Sequence, residues 1–417
     1  MRVLYFTIIG QADGPQNGGS LCSQTHVRNL RRDSGIELAV VIAAPEDARA
    51  PVVSFMNDQG IKQFLFVPLQ SRVRRVRDYL KYRWTRIVGF PFEAAAAKNP
   101  HVKQHVLDAL KRWNVDVLVV DYLYSALFCP DLVDREVPTA IITLNREAEF
   151  FRECAEQGVV RRNPIRIAIA SARLQRFEQE TYSRSARVIA LGRPDVPSYL
   201  PPSQVDCITP HLDESAERWR FSGSDTAYFV GNISHYPNRL AIEFIARCLA
   251  PRIAARRADV VIKIIGADIT DVPADWRHPI ISYLGVSDTS TVRSLFQTSD
   301  LFLCPIKNTF GMKFKLAEAA SYAAPFLASR ESALCLPYLS GLPLIDLADY
   351  ESAADIVCRL VGNRTELQRI SASIRSGHQS FVASQKNIWS RSLAHISAFS
   401  NSAVQSQDMS RSTSVVG

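Results

Sequence analysis

At 417 residues the chain is longer than one compact core usually supports, so two domains are expected. Its composition, 47% hydrophobic and 22% charged, is that of a globular protein, and no uncharged apolar run reaches the roughly 18 residues of a membrane-spanning helix. The formal net charge of +8 favours anionic partners without choosing among nucleotides, nucleic acid and membrane surfaces.

Met1-Arg2 leads directly into Val3–Ile9, too short and too weakly charged in front for a signal peptide, so Arg2–Ile9 reads as a first strand. A glycine-rich loop from Gly10 to Ser20 follows, then a helix over Leu21–Arg32. Ile36–Ala43 and Phe64–Pro68 are apolar runs of strand length. His101–Trp113 has apolar residues at Val102, Val106, Leu107 and Leu110, a helical spacing. Val115–Val120, Thr139–Thr143 and Ala186–Leu191 read as strands, with a long helix over Ile165–Arg184. Apolar runs that do not alternate, interleaved with helices, predict a parallel sheet covered on both faces.

Five prolines between Pro194 and Pro210 mark a domain edge, which places the boundary at residue 210. The rhythm then restarts: a strand over Thr226–Val230, a loop over Gly231–Asn238, a helix over Arg239–Leu249 and a strand over Val260–Ile265. A helix over Ser290–Gln297 precedes a strand over Leu301–Pro305. Phe326–Ala328 and Leu342–Ile345 read as strands, and Ala353–Leu360, Thr365–Ile374 and Ile388–Phe399 as helices. The expected organisation is a first domain over 1–210 and a second over 211–385. A helix over 386–400 would return to the first domain, and the serine-rich tail 401–417 reads as disordered. The fold class is α/β, with two Rossmann-like doubly wound domains facing across a cleft at the carboxyl ends of the strands.

The most informative stretch runs from Asp300 to Ser329. A strand passes through a loop ending in Gly311 into a helix whose start carries Lys313 and Lys315, with Glu318 one turn on. Helix N-termini repel cations unless an anion is bound, so two lysines there suit a diphosphate, and Glu318 suits sugar hydroxyls. Together they read as a nucleotide-sugar site. Tyr228–Asn238 is a strand running into a glycine turn, where Gly231 lets backbone approach a phosphate closely. Gly18, Gly19 and Ser20 lack the spacing of a dinucleotide fingerprint and read as a flexible lip. The eight cysteines are scattered without a Cys-x-x-Cys pair, which argues against a disulfide framework or a zinc site and for a reducing compartment.

A basic stretch, Ser71 to Val88, interleaves Arg74 and Arg75 with Tyr79, Tyr82 and Trp84. It suits docking on anionic lipid; single-stranded nucleic acid is the rival and a solvated basic helix the plain alternative.

The order of these motifs resembles the GT-B glycosyltransferases, and within them the large retaining family 4 group. The resemblance rests on Phe229–Asn238, Ile264-Ile265-Gly266, Leu284-Gly285-Val286, Asp300–Pro305 and the run Gly311-x-Lys313-x-Lys315-x-x-Glu318, most specifically over 226–330. It implies that Glu318 holds the donor ribose and that Lys315, with Lys313, neutralises the leaving diphosphate. Gly285 and Val286 would lie beside the nucleobase, with Gly231, Asn232 and Gly19 near the diphosphate and Gly311 at the turn. The first glutamate of that family's paired motif is replaced by Phe310.

The implied activity is hexosyl transfer from a nucleotide-diphosphate-sugar to a polysaccharide or lipid-linked glycan, in the cytoplasm at the inner membrane face. Peripheral membrane contact is expected, and no nucleic-acid partner. No cofactor or metal is expected, since the family needs none and an Asp-x-Asp motif is missing. A same-fold epimerase, a pyridoxal-dependent phosphorylase and a degenerate, non-catalytic glycan-binding transferase remain alternatives. Candidates for acceptor contact or general base are Asp121, Glu147 and His26.

Overall fold

Strands whose residues are apolar on both faces can be buried only between two layers of helices, and such strands form the centre of two parallel sheets that hold thirteen strands among the described residues. The computed structural model describes residues 1–8, 18–70, 82–87, 89–90, 92–130, 137–160, 162–308, 311–339 and 341–396. The chain divides into two units: Met1–Pro210 together with the segment from Lys386 onward, and His211–Gln385.

In the first unit the strands are β1 (Arg2–Thr7), β2 (Glu37–Ala44), β3 (Phe64–Pro68), β4 (Val117–Asp121), β5 (Thr139–Thr143), β6 (Arg187–Ala190) and β7 (Val205–Cys207). Their order is 3-2-1-4-5-6-7, every pair parallel. Right-handed crossovers force the strand order to reverse between β1 and β4, so the loops after those strands diverge and leave room for a ligand at their carboxyl ends. A helix over 388–396 belongs to this unit: Trp389 lies edge-on to His26 with ring centroids 5.7 Å apart, and Ser392 donates to Asp206.

The second unit repeats the plan with β8 (Thr226–Val230), β9 (Val261–Ile265), β10 (Ile281–Tyr283), β11 (Leu301–Cys304), β12 (Phe326–Ser329) and β13 (Leu344–Ile345). Their order is 10-9-8-11-12-13, again all parallel. An aromatic stack fills its core: Tyr228 packs between Phe296 and Phe302, and Phe296 lies flat on Tyr322 at 5.5 Å.

Several predicted boundaries move. The first helix starts at Gly18 rather than Leu21, so Gly18 and Gly19 form its first turn instead of a lip. The segment predicted as a loop to Asn238 turns helical at Tyr236. Pro237 is tolerated there because first-turn amides have no intrahelical partner. That helix continues through a π-helical turn, Phe244–Leu249, to Arg256, well past Leu249. β1 is assigned to Thr7, with Ile9 outside the described residues, and β2 is shifted by one residue to Glu37–Ala44. The last long helix runs Arg364–Ser384 rather than stopping at Ile374. Helices Arg49–Asp58 and Glu93–Lys98 and the three-residue strands β7 and β10 are absent from the sequence reading, because each is short and lacks a clear period.

Three loops at the carboxyl edge of the second sheet are laced backbone to backbone. Gly231 N donates to Ile265 O (2.9 Å), Ile233 N to Gly266 O (2.9 Å), Gly266 N to Gly285 O (2.7 Å) and Gly285 N to Ala267 O (3.0 Å). Gly266 has φ +93°, and a Cβ there would stand 2.5 Å from Gly231 O. Gly266→Ala is therefore expected to cost about 1–3 kcal/mol through strain and clash together. The urea midpoint of the second unit should fall accordingly; an unchanged midpoint would refute the close stacking.

Candidate functional site

The second unit's candidate residues gather where β8 and β11 end. β11 feeds a turn in which Gly311 takes φ +68°, and the helix Phe314–Ser321 starts immediately after Lys313. Lys313 occupies the cap position rather than the first turn. It is 7% exposed, its Nζ donates to Gly311 O (2.9 Å), and its backbone N donates to Cys335 Sγ (3.4 Å). Two buried serines fix the preceding loop, since Ser329 Oγ and Ser332 Oγ both donate to Ile306 O, at 2.6 and 3.1 Å.

Lys315 crosses to the β8 side. Its Nζ donates to Asn238 Oδ1 (2.6 Å) and lies 4.6 Å from the centre of the Phe229 ring. Both partners are neutral, so the cation is oriented without being cancelled. Loss of hydration pushes its pKa down to about 8. One turn on, burial pushes the Glu318 carboxyl up to about 7, and Lys315 acts in the opposite direction.

Asn238 closes the run Phe229–Asn238, and its role comes from the fold. Its Nδ2 donates to Asn232 O (3.0 Å), so one amide ties the Gly231–Asn232 loop to Lys315. A Cβ on Gly231 would stand 2.7 Å from Asn238 Cγ and 2.8 Å from Lys315 Nζ, so only glycine fits here. Asn232 Oδ1 caps Ser234 N (2.8 Å). Gly285, at φ +64°, continues the laced loops, and Val286 beside it is 75% exposed. Gly231, Asn232, Gly266, Lys315 and Asn238 are thus joined by direct contacts, with Gly285 laced on through Gly266. Phe310 lies outside the described residues.

In the first unit, His26 and Asp121 meet. Asp121 closes β4, accepts from Thr7 Oγ1 (3.1 Å), and its Oδ1 lies 3.5 Å from His26 Nδ1, both side chains fully buried. Gly19 is the second residue of the helix that carries His26. Glu147 belongs to a different cluster. It opens the helix Glu147–Glu156 after β5, 3% exposed, and accepts from Asn145 Nδ2 (3.0 Å), with the Tyr122 and Tyr124 hydroxyls also in reach of its carboxyl. Burial raises its pKa to about 8, and Glu178 adds to the shift. Glu178 accepts from Ala148 N (2.9 Å), and burial carries it to about 7.

Among the membrane-contact candidates, Arg74, Arg75 and Tyr79 lie outside the described residues. Residues 82–87 are helical; Trp84 is 59% exposed, and Tyr82 receives Lys98 on its ring face at 4.5 Å. Among the described residues, no helix is long and apolar enough to cross a membrane.

Comparison with known proteins fits this geometry. Solved structures of the same fold include TarM (TM-score 0.62, 10% identity, covering 90% of this chain and 95% of that one). Sucrose-phosphate synthase from Thermosynechococcus elongatus aligns over 98% and 99% of the two chains (TM-score 0.60, 11% identity). Anabaena HepE, solved in complex with UDP and glucose, aligns over 97% and 100% (TM-score 0.55, 12% identity). No curated protein matches the sequence. The fold is that of the GT-B glycosyltransferases, with two Rossmann-like domains. Residues 224–363 match the family model described as glycosyl transferases group 1, so the second unit carries a glycosyltransferase domain of that group and the protein is a glycosyltransferase.

The carboxyls of the first unit make its stability pH-dependent. Glu147 titrates near 8 when folded and near 4.3 in an unfolded chain, so the folded state holds the proton more tightly. Its contribution is complete below about pH 4 and is lost as pH rises through about 8. Glu147→Gln keeps the shape without the charge. The variant should lose less stability than the parent on going from about pH 6 to about 8.5. At the higher pH its Tm should exceed the parent's by ~3 °C, the shift ~1 kcal/mol gives in a unit this size. Parallel pH profiles for the two proteins would rule out a buried protonated Glu147.

Proposed function

We propose that the second unit binds a nucleoside-diphosphate sugar at the laced glycine loops, and that the protein transfers the sugar to a polysaccharide or lipid-linked glycan held by the first unit. The supporting observation is Lys315: a half-buried ammonium oriented by an amide oxygen and an aromatic face, with no carboxylate among the described residues taking up its charge at hydrogen-bonding distance. Such a cation beside close-approaching glycine backbone receives an anion at little reorganisation cost. The UDP and glucose bound by the like-folded HepE fit the same class of ligand.

In this reading Lys315 and Lys313 stabilise the departing diphosphate, the step at which negative charge grows on the leaving group. Glu318 accepts ribose hydroxyls. Gly285 and Val286 border the nucleobase, and Asn238 positions Lys315 against the loop. The lysines supply the positive charge a divalent metal supplies elsewhere, so turnover is expected to survive EDTA. Asp121, with His26 beside it, and Glu147 remain the first unit's candidates for acceptor contact.

Titration calorimetry with UDP, GDP and ADP tests the donor site. Lys315 is charged below about 8, so affinity should fall as pH rises past that value, with proton uptake on binding. Lys315→Ala should weaken binding by about 10–100-fold, as removal of a charge-assisted hydrogen bond does, and abolish the uptake. If Lys315→Ala and Glu318→Ala both bind as the parent does, the donor assignment is wrong.

We also place the protein at the cytoplasmic membrane face. The exposed Trp84 and Ile87 on a basic helix support this, by the physics of interfacial docking. Co-sedimentation with phosphatidylglycerol vesicles should decrease with added salt and with Trp84→Ala. Equal recovery with neutral vesicles, or with oligonucleotides, would count against it.

A further inference from the structure

The first unit carries an aromatic shelf at the carboxyl ends of β4 and β5: Tyr124 and Tyr122 pack on the core, and Phe92 stands out from it. Phe92 is 44% exposed, and its ring lies 6.0 Å from Tyr122 and 5.0 Å from Tyr124, which are themselves 4.8 Å apart. Tyr122 follows directly on Asp121, the last residue of β4. Two of these three rings stand on backbone that glycine would adopt more readily: Phe92 has φ +66° and Tyr122 has φ +73°, ψ 130°. Large side chains rarely occupy such positions without a compensating role.

The arrangement is built and held. Glu93 Oε2 accepts from Phe90 N (3.0 Å), while its other oxygen pairs with Arg173 (2.5 Å). Arg162 donates to Gly89 O (2.6 Å), so two arginines from outside fix the loop that presents Phe92. Below, Phe90 packs on Tyr124 (6.0 Å) and on Phe177 (5.6 Å). On the β5 side, Asn145 and the Glu147 carboxyl stand beside the two phenols.

We propose that Phe92 is the stacking face for a pyranose ring of the acceptor, with Tyr122, set at 85° to it, as the wall beside that face and with Tyr122 and Asn145 supplying hydrogen bonds. A pyranose offers an apolar C–H face and equatorial hydroxyls at its rim, matching an exposed ring bordered by phenol and amide. An alkyl chain would make no use of the phenol and amide at the rim, whose remaining hydrogen-bonding capacity suits hydroxyls. Ligands of doubly wound sheets bind outside the carboxyl ends of the strands, where this shelf lies. The inference rests on the reading of the first unit as the acceptor-binding one. It adds the ligand class and the residues that hold it.

Saturation-transfer NMR with methyl hexopyranosides, and with hexitols as acyclic controls, tests the shelf on the full chain. Phe92→Gly removes the ring while relieving the left-handed backbone, so its Tm should equal or exceed the parent's. Ring-proton saturation of the glycosides should fall roughly threefold to tenfold in this variant, as for one lost aromatic contact, and recover in Phe92→Trp. Nucleoside-diphosphate affinity should not change. Undiminished saturation in Phe92→Gly, equal saturation of the hexitols, or no saturation with the parent protein would overturn the proposal. Glycoside contact retained in a protein that binds no nucleoside diphosphate would support the shelf and overturn the donor reading alone.

Discussion

The second unit's site depends on backbone touching backbone. With Gly231 N on Ile265 O and Gly266 N on Gly285 O, the loops after β8, β9 and β10 lie too close for side chains between them. This spacing explains why Gly231 and Gly266 are glycine, as positive φ does for Gly285, and why Lys315 can reach across from the helix after β11 to Asn238. A parallel sheet makes it feasible, since all its strands deliver their carboxyl ends, and so their loops, to one edge. A side chain at Gly231 would move the lysine as well as the loop, coupling charge placement to backbone packing.

Desolvation is the second organising force, and it acts differently in the two units. In the second it weakens a cation's hold on its proton and strengthens a carboxyl's, bringing Lys315 to about 8 and Glu318 to about 7. The site then sits within about one pH unit of changing charge on either side, and the diphosphate proposed to bind there would restore the lysine's proton affinity by proximity. In the first, burial raises both Glu147 and Glu178, with Glu178 adding to the shift of Glu147 and Glu149 to that of Glu178, so the cluster carries less negative charge than two free carboxylates and suits a neutral sugar better than an anion.

Much of this was legible in the chain. Non-alternating apolar runs gave the parallel strands, the restart at Thr226 gave a second doubly wound unit, and Gly311, Lys313, Lys315 and Glu318 follow one another closely enough to be read as one motif. What escaped was assembled from distance. Glu147 owes its environment to Tyr122 and Tyr124, some twenty residues earlier, and to Glu178 on another helix. Asn238 gains its role only when Lys315 comes to lie against it, and Gly266 only when the loop of Gly231 does. Positive φ at Phe92 and Tyr122 has no sequence signal at all, since propensity there favours glycine.

That last contrast separates the two units chemically. Along the edge proposed for the donor, the left-handed positions Gly266, Gly285 and Gly311 carry no side chain, which is the economical solution when a ligand must meet backbone amides. In the first unit the comparable conformations are held by Phe92 and Tyr122, at a cost in strain that glycine would remove. A backbone bent like a glycine turn but bearing a ring is explained when the ring is what the ligand meets. One unit presents amides and cations, as a diphosphate requires; the other presents aromatic faces beside a protonated acid, as a sugar ring requires. Both follow from the same parallel-sheet edge, with the residue chosen at the positive-φ positions deciding which chemistry is offered.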